Sequence, residues 1–319
     1  MSYGIPYQGN KQSIAASLAL NFPKAAHFYD LFGGGGAVTH YMAMHKAHCY
    51  KHFHYNEIKS DVVDILRRSI KGEFANDVFK PKWISREEFF ELKDNDAYVR
   101  FFWSFGNGQR SYLFSKEIEP YKKSLHQAVV FDQFDGLATN TLGLSKWPAS
   151  ISSITKRRSY LSNRIERFRK SKIPDHLIPF LNKKQFEQLN QLKQLQQLKR
   201  LQQLQQLEAL ERLQQLQQLQ QLEQLNLYSM DYRDVPIEAN SVVYCDIPYI
   251  GTAGYGNSFD HKAFYDWAMT REFPVYVSEY SMRDPRFKLI YSIDKRLLMA
   301  SDKTVVNKAE NLYWNGINC

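Results

Sequence analysis

The sequence predicts an α/β fold, a mostly parallel sheet covered by helices and interrupted by an inserted region, and three observations support this prediction. Strand-like apolar runs alternate with helical stretches over residues 11–72, the order that builds a parallel sheet. The alternation returns after residue 240. Residues 76–227 have a different, basic and then repetitive character. We therefore expect a discontinuous domain, residues 1–75 and 228–319, with a mainly helical domain inserted between its halves.

The first half is expected to begin with a helix at residues 11–22, "KQSIAASLALNF", and a strand at 25–32, "AAHFYDLF". A helix at 37–47 and a strand at 50–58, "YKHFHYNEI", follow. Residues 58–72 place apolar side chains at helical spacing among charged ones and therefore predict an amphipathic helix.

The second half is expected to complete the same sheet. The apolar run "SVVYCDI" (241–247) predicts a buried strand, and "DHKAFYDWAMT" (260–270) predicts a helix. "FPVYVSEY" (273–280) predicts a further strand, and "FKLIYSI" and "ENLYWNG" predict the closing strands.

Composition and charge limit the class of protein. The chain has 319 residues, of which 44% are hydrophobic, enough to bury a sizeable core. Its net charge of +9 indicates a polyanionic partner. Cys49, Cys245 and Cys319 are far apart, which fits a reducing compartment and argues against a disulfide framework or a zinc site. With no signal-like segment or long apolar run, we expect a cytoplasmic protein, and the scattered cysteines lead us to expect no metal.

A glycine-rich turn, "DLFGGGGAV" (30–38), joins the first strand to a helix. Glycines there let a ligand approach backbone N–H groups at the positive end of the helix. The turn does not match G-x-G-x-x-G, because Val38 stands at the third glycine position. Dinucleotide binding is therefore disfavoured, and an adenosine-type cofactor remains compatible. A tight connection without a ligand is the alternative.

Two charged residues flank this turn in the sequence. Glu57 ends the second strand, where an acid can accept both hydroxyls of a ribose bound over the glycine turn. Lys11, in "IPYQGNK" (5–11), offers a positive charge for the carboxylate of a ligand. Each residue taken alone also fits an ordinary surface position or a turn before a helix.

The stretch "SVVYCDIPYIGT" (241–252) leads a buried strand directly into an acid, a proline and an aromatic ring. Ligands bind outside the carboxyl ends of the strands in a doubly wound sheet. There Asp246 and the carbonyl of Ile247 offer acceptors for an amino group, Pro248 stiffens the loop, and Tyr249 offers a flat face for stacking. These features together predict a site for a flat heterocycle with an amino group. A turn with a capping aspartate is the alternative.

The middle of the chain contains two unusual segments. Residues 155–172 carry eight Lys or Arg against the single acid Glu166, which predicts a phosphate-contacting element or, alternatively, a solvated helix face. Residues 189–225 have leucine at every third position, mostly with glutamine between. A period of three matches neither a heptad nor a strand. Because leucine and glutamine favour helix, we expect a helical or solenoid-like array, with a passive spacer as the alternative.

In chain order, these features resemble the Dam-type (D12 class) DNA adenine-N6 methyltransferases. The acceptor-rich "DIPY" is similar to the D-P-P-Y signature of that family, and "FWSFGNGQRSYLF" resembles the Asn-Gly segment that opens its recognition region. The resemblance covers roughly 1–115 and 228–319 and leaves out the middle. The other matched residues are Tyr7, Gly9 and Lys11 in the N-terminal element, Asp30, Phe32, Gly33, Gly34, Gly35 and Gly36 around the glycine turn, and Glu57.

The resemblance implies a Rossmann-like class I sheet that uses S-adenosylmethionine to methylate N6 of adenine in double-stranded DNA. It implies catalytic roles for Asp246, Ile247, Pro248 and Tyr249, and cofactor contacts from the other matched residues. Positioned acceptors would make the amino nitrogen more nucleophilic, and the base must be flipped out to reach them. The inserted region would bind DNA, and the resemblance leaves a restriction endonuclease partner open. The expected DNA contacts are Asn107, Lys156, Arg157, Arg158, Arg164 and Arg167.

Two departures from the family pattern leave other functions open. Ile247 replaces the first proline of the signature but keeps the carbonyl that the family uses. Glu279 stands where the family often has asparagine, and no role is assigned to it. The same acceptors would hold the amino group of cytosine, so an N4-cytosine DNA methyltransferase is one alternative. A non-enzymatic DNA-binding scaffold on a degenerate fold is the other.

Overall fold

The computed structural model describes residues 3–5, 7, 9–74, 79–105, 109–170, 219–222, 224–249, 259–298 and 305–318. The chain divides into two compact units. One consists of Met1–Lys71 with Gln218–Cys319, and the other of Gly72–Gln217. The first, which contains the sheet, is called the sheet unit below, and the second is called the inserted unit.

The described part of the sheet unit contains a seven-stranded sheet with the order β3-β2-β1-β4-β5-β7-β6. Strands β1 to β5 run parallel, and β7 runs antiparallel between β5 and β6. This confirms the predicted α/β class. The strands are β1 His27–Asp30, β2 His52–Asn56, β3 Leu225–Tyr228, β4 Ser241–Cys245, β5 Val275–Glu279, β6 Lys288–Leu298 and β7 Val305–Trp314.

The central strands are apolar on both faces because helices cover both sides of the sheet. Every residue of β4 and β5 is buried. Successive residues of a strand point to opposite faces, so Val242 and Tyr244 join one core cluster while Val243 and Cys245 join the other. The second cluster also contains Phe264 from a helix on that side of the sheet.

Four helices belong to the described part of this unit. They are α1 Ala15–Leu18, α2 Ala37–His45, α3 Ser60–Ile70 and, after the inserted unit, α9 His261–Met269. Helix α1 is shorter than the predicted helix at 11–22. Asn10 accepts the backbone N–H of Gln12 through its side chain at 2.7 Å, and such a local bond favours a turn over a helix before Ala15.

The end of the leucine repeat departs from the helical expectation. Positions 189–218 lie outside the described residues, but Leu219–Leu222 is a 3-10 turn and Leu225–Tyr228 is β3, parallel to β2. Residues three apart lie on the same side of a 3-10 turn, so Leu219 and Leu222 are both buried, next to α2 and α3. The sheet unit therefore extends back to Gln218, whereas the sequence placed its boundary at 228.

The described elements of the inserted unit are helices, apart from one bridge between Ser104 and Tyr112. Side-chain caps start several of them, for example the reciprocal capping box of Ser85 and Glu88. Nowhere in the part of the chain that the structure describes is there a helix with the length and apolarity to cross a membrane. The helices are α4 Arg86–Leu92, α5 Ala97–Phe102, α6 Glu119–Phe131, α7 Gly136–Leu142 and α8 Ile154–Lys170.

Candidate active site

The carboxyl ends of β1, β2 and β4 lie side by side and bring three acids to one edge of the sheet. The strand register pairs Asp30 with Tyr55 on one side and with Tyr244 on the other. Glu57 and Asp246 follow these partners by two residues each along the chain. This edge is the place where open α/β sheets bind ligands.

The glycine turn packs tightly against Tyr55 and against the N-terminal segment. A Cβ on Gly33 would lie 2.0 Å from Cε2 of Tyr55, and the Tyr55 hydroxyl donates to the carbonyl of Gly34 at 2.6 Å. The N–H of Ile5 donates to the carbonyl of Gly35 at 2.7 Å. Gly36 has a φ of +71° at the start of α2, where a side chain would be strained. The fold itself therefore requires these glycines.

The predicted N-terminal element lies on this turn. A Cβ on Gly35 would come within 2.7 Å of Cβ of Tyr7, which is buried. Gly9 has a φ of +80°, and its carbonyl accepts a hydrogen bond from Nζ of Lys11 at 3.4 Å. The N-terminal element and the glycine turn pack against each other, as they must if both contact the same ligand.

Asp30 combines full burial with an unused acceptor. Its Oδ2 accepts a hydrogen bond from the Thr39 hydroxyl at 2.7 Å, whereas no donor among the described residues bonds to its Oδ1. Burial raises the pKa of Asp30 to about 7 despite the Thr39 hydrogen bond, and the charges of Asp246 and Glu57 add to the rise. A cationic ligand would satisfy this carboxyl group.

Glu57 is held by backbone amides. Its Oε2 accepts from the N–H of Gly34 and its Oε1 from the N–H of Lys59, both at 3.1 Å. Burial raises the pKa of Glu57, and these two donors oppose the rise. Each carboxylate oxygen accepts more than one hydrogen bond, so both oxygens keep capacity for ligand hydroxyls.

Lys11, Asp246, Tyr249 and Glu310 form one cluster, in which Lys11 and Glu310 are buried and Asp246 and Tyr249 are partly buried. The Nζ of Lys11 lies 2.8 Å from Oδ1 of Asp246 and 3.2 Å from Oε1 of Glu310. It also lies 4.7 Å from the centroid of the Tyr249 ring. The Tyr249 hydroxyl donates to Oε1 of Glu310. The structure thus pairs Lys11 with the predicted catalytic acid, a contact that the sequence did not predict.

The charges of the cluster act on one another. Burial alone would lower the pKa of Lys11, but Asp246 and Glu310 outweigh it, and the pKa is raised. The ammonium group is therefore charged at neutral pH. Burial raises the pKa of Asp246, Lys11 opposes the rise, and the charge of Glu310 adds to it. One cation faces two carboxylates, so the cluster carries an excess of negative charge when both are ionised.

The rest of the "DIPY" loop is fixed by neighbouring elements. Ile247 is buried in the core cluster beneath the loop. The carbonyl of Pro248 accepts a hydrogen bond from Nε2 of His261, on α9, at 2.7 Å. A carbonyl only accepts, so His261 carries a proton on Nε2. Phe32 packs among aromatic rings, including that of Phe264, with centroids 5.7 Å apart.

The residues predicted to contact DNA differ in their exposure and in their side-chain partners. Lys156 is exposed. Arg157 is only 12% exposed; it donates to the carbonyl of Val129 at 3.2 Å and pairs with Asp132 at 3.3 Å, so its guanidinium joins α8 to α6. Burial lowers the pKa of Arg158. Asn107 lies outside the described residues, and positions 164 and 167 lie in α8, where only the backbone is described. Their DNA contacts stay predictions.

The sequence missed two residues of this site. Glu310 begins the predicted closing strand "ENLYWNG" and stands between Lys308 and Asn311, so it gives no local signal of a buried role. His261 follows the capping residue Asp260 of α9 and gives no local signal of its contact with Pro248. Neither residue is close to the "DIPY" loop along the chain.

The sheet order and the acids at its edge define a class of protein. Seven strands in this order, with the last strand antiparallel between the fifth and sixth, form the sheet of a class I methyltransferase. Within the described residues, no cluster of His, Cys, Asp or Glu suits a metal ion.

The family is narrower than the class. Residues 7–273 match the model of the D12 class N6 adenine-specific DNA methyltransferases, and the chain belongs to that family. No curated protein matches the sequence. The family confirms the predicted resemblance and the adenine-specific activity over the cytosine and scaffold alternatives. The protein is an enzyme that methylates N6 of adenine in DNA, with S-adenosylmethionine as the methyl donor of its family.

Proposed function

We propose that Asp246 and the carbonyl of Ile247 accept the two N–H groups of a flipped-out adenine, while the base stacks on Tyr249. The observation that carries this proposal is the partly buried cluster in which Lys11 pairs with Asp246 beside the Tyr249 ring. An acceptor on the amino group draws electron density toward its nitrogen and fixes its direction of attack. Burial makes both effects stronger than they would be in water.

We also propose that the acid-lined edge of the sheet holds S-adenosylmethionine. When bound, this donor supplies a methyl group made electrophilic by a positively charged sulfur. The chain offers an unused buried acceptor at Oδ1 of Asp30 and two backbone-held oxygens on Glu57 for a ribose. Burial and the charges of Asp246 and Glu57 raise the pKa of Asp30, so a ligand with positive charge is favoured at this edge. These acceptor groups therefore fit S-adenosylmethionine.

The inserted unit is proposed to bind double-stranded DNA. The exposed Lys156 on α8 supports this, together with the net charge of +9 on the whole chain. Arg157 is an unfavourable candidate for a phosphate contact, because it is engaged with the carbonyl of Val129 and with Asp132. The test is the salt dependence of DNA binding, which should weaken when Lys156 is replaced by Gln.

The central experiment compares Asp246→Asn with the parent protein. Radiolabelled S-adenosylmethionine and duplex DNA report the transfer rate, and mass spectrometry of the nucleosides identifies the product. Asn keeps the shape of Asp246 but loses its charge, so the rate should fall by about 100-fold or more. Cofactor affinity, measured by calorimetry, should stay within about threefold of the parent.

A matched control is Asp266→Asn, which changes a carboxylate on α9 that is exposed and paired with Lys262 and Arg286. This variant should transfer methyl groups at the parent rate. Near-parent turnover of Asp246→Asn would remove the proposed role of Asp246. N4-methylcytosine as the product would contradict the adenine assignment.

A further inference from the structure

Glu310 lies in β7, beyond the residues 7–273 that match the family, yet it contacts two of the residues predicted from the sequence. Its Oε1 lies 3.2 Å from Nζ of Lys11 and accepts the hydrogen bond of the Tyr249 hydroxyl. The Glu310 side chain is 1% exposed. A carboxylate at this depth is retained only where it is paired and hydrogen-bonded. Both of its partners, Lys11 and Tyr249, belong to the proposed site for the base.

Lys11 divides its ammonium group between Asp246 and Glu310. In the proposed reaction, Asp246 accepts an N–H from the amino group of the base, so it has less hydrogen-bonding capacity left for Lys11. A buried ammonium paired with Asp246 alone would lose part of its compensation at that moment, which is unfavourable. Glu310 provides a second countercharge that stays in place.

The same glutamate fixes the Tyr249 ring. The ring is anchored by its hydroxyl on Glu310 and by an edge-to-face contact with Tyr280, with centroids 4.5 Å apart. Lys11 lies over the ring as well, 4.7 Å from its centroid. A ring held before the base arrives loses less conformational freedom when the base stacks on it.

We propose that Glu310 is a positioning residue that holds Lys11 and Tyr249 while Asp246 exchanges part of its contact with Lys11 for the amino group of the target adenine. This inference rests on the proposed roles of Asp246 and Tyr249. Glu310 does not touch the base. It acts through the ammonium group on one side and the phenol hydroxyl on the other.

The test uses the full-length protein and a duplex that carries a site mapped for the parent. Glu310→Gln keeps the size of the side chain and an acceptor for Tyr249 but removes the charge. Its single-turnover transfer rate should fall about tenfold or more. Its affinity for S-adenosylmethionine should stay within about twofold. Glu310→Ala removes both contacts and should be slower than Glu310→Gln.

The pH dependence of the transfer rate separates positioning from a structural role. The charge of Glu310 adds to the raised pKa of Asp246, so Glu310→Gln should move the acid limb of the profile to lower pH. A variant that only loosens the fold would lower the rate without moving this limb. An acid limb and a rate equal to those of the parent would overturn the inference.

A second pair of variants keeps the inference testable if changes at Glu310 prevent folding. Tyr249→Phe removes only the hydroxyl that Glu310 holds and should slow transfer several-fold. The Tyr249→Phe variant should also show a smaller change in fluorescence when 2-aminopurine, placed at the target position, is flipped out of the duplex. Tyr244→Phe is the matched control, because its buried hydroxyl bonds to Ser278 instead. Equal effects of these two variants would overturn the inference. A parent protein that methylates no duplex would instead contradict the proposed function.

Discussion

The two ends of β1 and β2 accommodate buried ionisable groups in opposite ways. At the carboxyl ends, Asp30 and Glu57 are buried acids, and burial raises the pKa of each. Toward the amino ends, a hydrogen bond joins Nδ1 of His27 to Nε2 of His54 at 3.0 Å. Burial lowers the pKa of both histidines, to about 4 for His54. One end concentrates negative charge, and the other keeps its groups neutral.

The histidine end satisfies its own polar groups. The imidazole of His54 stacks on Tyr29 with centroids 3.9 Å apart and lies within 3.3 Å of the Tyr228 hydroxyl through its Nδ1. At the other end, Oδ1 of Asp30 has no donor among the described residues. The difference separates the proposed ligand-binding edge from a structural edge within one sheet. Excess charge with an unused acceptor indicates a binding role, and neutral self-paired groups indicate packing.

The largest expected effect comes from removing the cation of the acidic end. Lys11→Met leaves the partly buried carboxylate of Asp246 and the buried carboxylate of Glu310 without their shared cation, so the free energy of unfolding should fall by roughly 3 kcal/mol. Methyl transfer should fall by about 100-fold or more, because the pKa of Asp246 rises and its acceptor geometry is lost. Urea denaturation and single-turnover transfer are the measurements.

The double variant Lys11→Met/Glu310→Gln is the control for this prediction. It removes one carboxylate of the uncompensated pair, so it should regain part of the lost stability while remaining nearly inactive. If Lys11→Met were as stable as the parent, the acidic end would not depend on its internal cation, and the contrast between the two ends would fail.

The affinity for S-adenosylmethionine should depend on pH through Asp30. The pKa of Asp30 is about 7 without a ligand, and a bound cation favours its ionised form. Affinity should therefore rise with pH up to about 7 and level off above it, with a limiting change of about tenfold per pH unit between the lowered pKa of the complex and the pKa of the free protein. Calorimetry between pH 6 and pH 8 measures this. Asp30→Asn should bind more weakly and lose the dependence, and an unchanged slope would assign the effect to another group.

A smaller effect is expected at His261. Replacing it by Ala removes the donor to the carbonyl of Pro248, and a hydrogen bond of this kind contributes about 1 kcal/mol. The transfer rate should fall about fivefold, since the loop that carries Asp246 is held less firmly. Lys262→Ala is the control on the same helix, because Lys262 is exposed and pairs with Asp266 there. Equal rates for the two variants would show that α9 does not position the loop.

The sequence was sufficient to predict the parallel strands and the carboxyl-end acids, because both follow from local patterns. The run that becomes β4 is apolar from Val242 to Cys245, and Asp30, Glu57 and Asp246 each stand at or just after the end of a strand. A strand followed by an acid places that acid at the ligand-binding edge without further information.

Contacts between distant segments could not be predicted in this way. Glu310 reaches Lys11 only because β7 inserts between β5 and β6, and no local pattern gives that strand order. The pairing of β3 with β2 likewise draws the last leucines of the repeat into the core, although their period favours no strand. The engagement of Arg157 with Asp132 could not be predicted either, because it depends on how α6 and α8 pack.

The smallest effect is expected at the histidine end, where His54→Phe should leave catalysis unchanged. Phe keeps a flat ring for the stack on Tyr29 but cannot be protonated. In the parent, the folded-state pKa of His54 lies below the value of about 6.5 for an unfolded chain. Its neutral form therefore adds stability above that pH, and this contribution is lost as the pH falls from about 6.5 toward 4. Urea denaturation at pH 7.5 and pH 5 should show a loss of unfolding free energy on acidification that is smaller for the variant by on the order of 1 kcal/mol.

Methyl transfer by His54→Phe at pH 7.5 should equal that of the parent, since His54 lies away from the acids at the carboxyl ends. A variant that loses activity would show that the two ends are coupled, and an identical pH dependence would remove His54 as the titrating group.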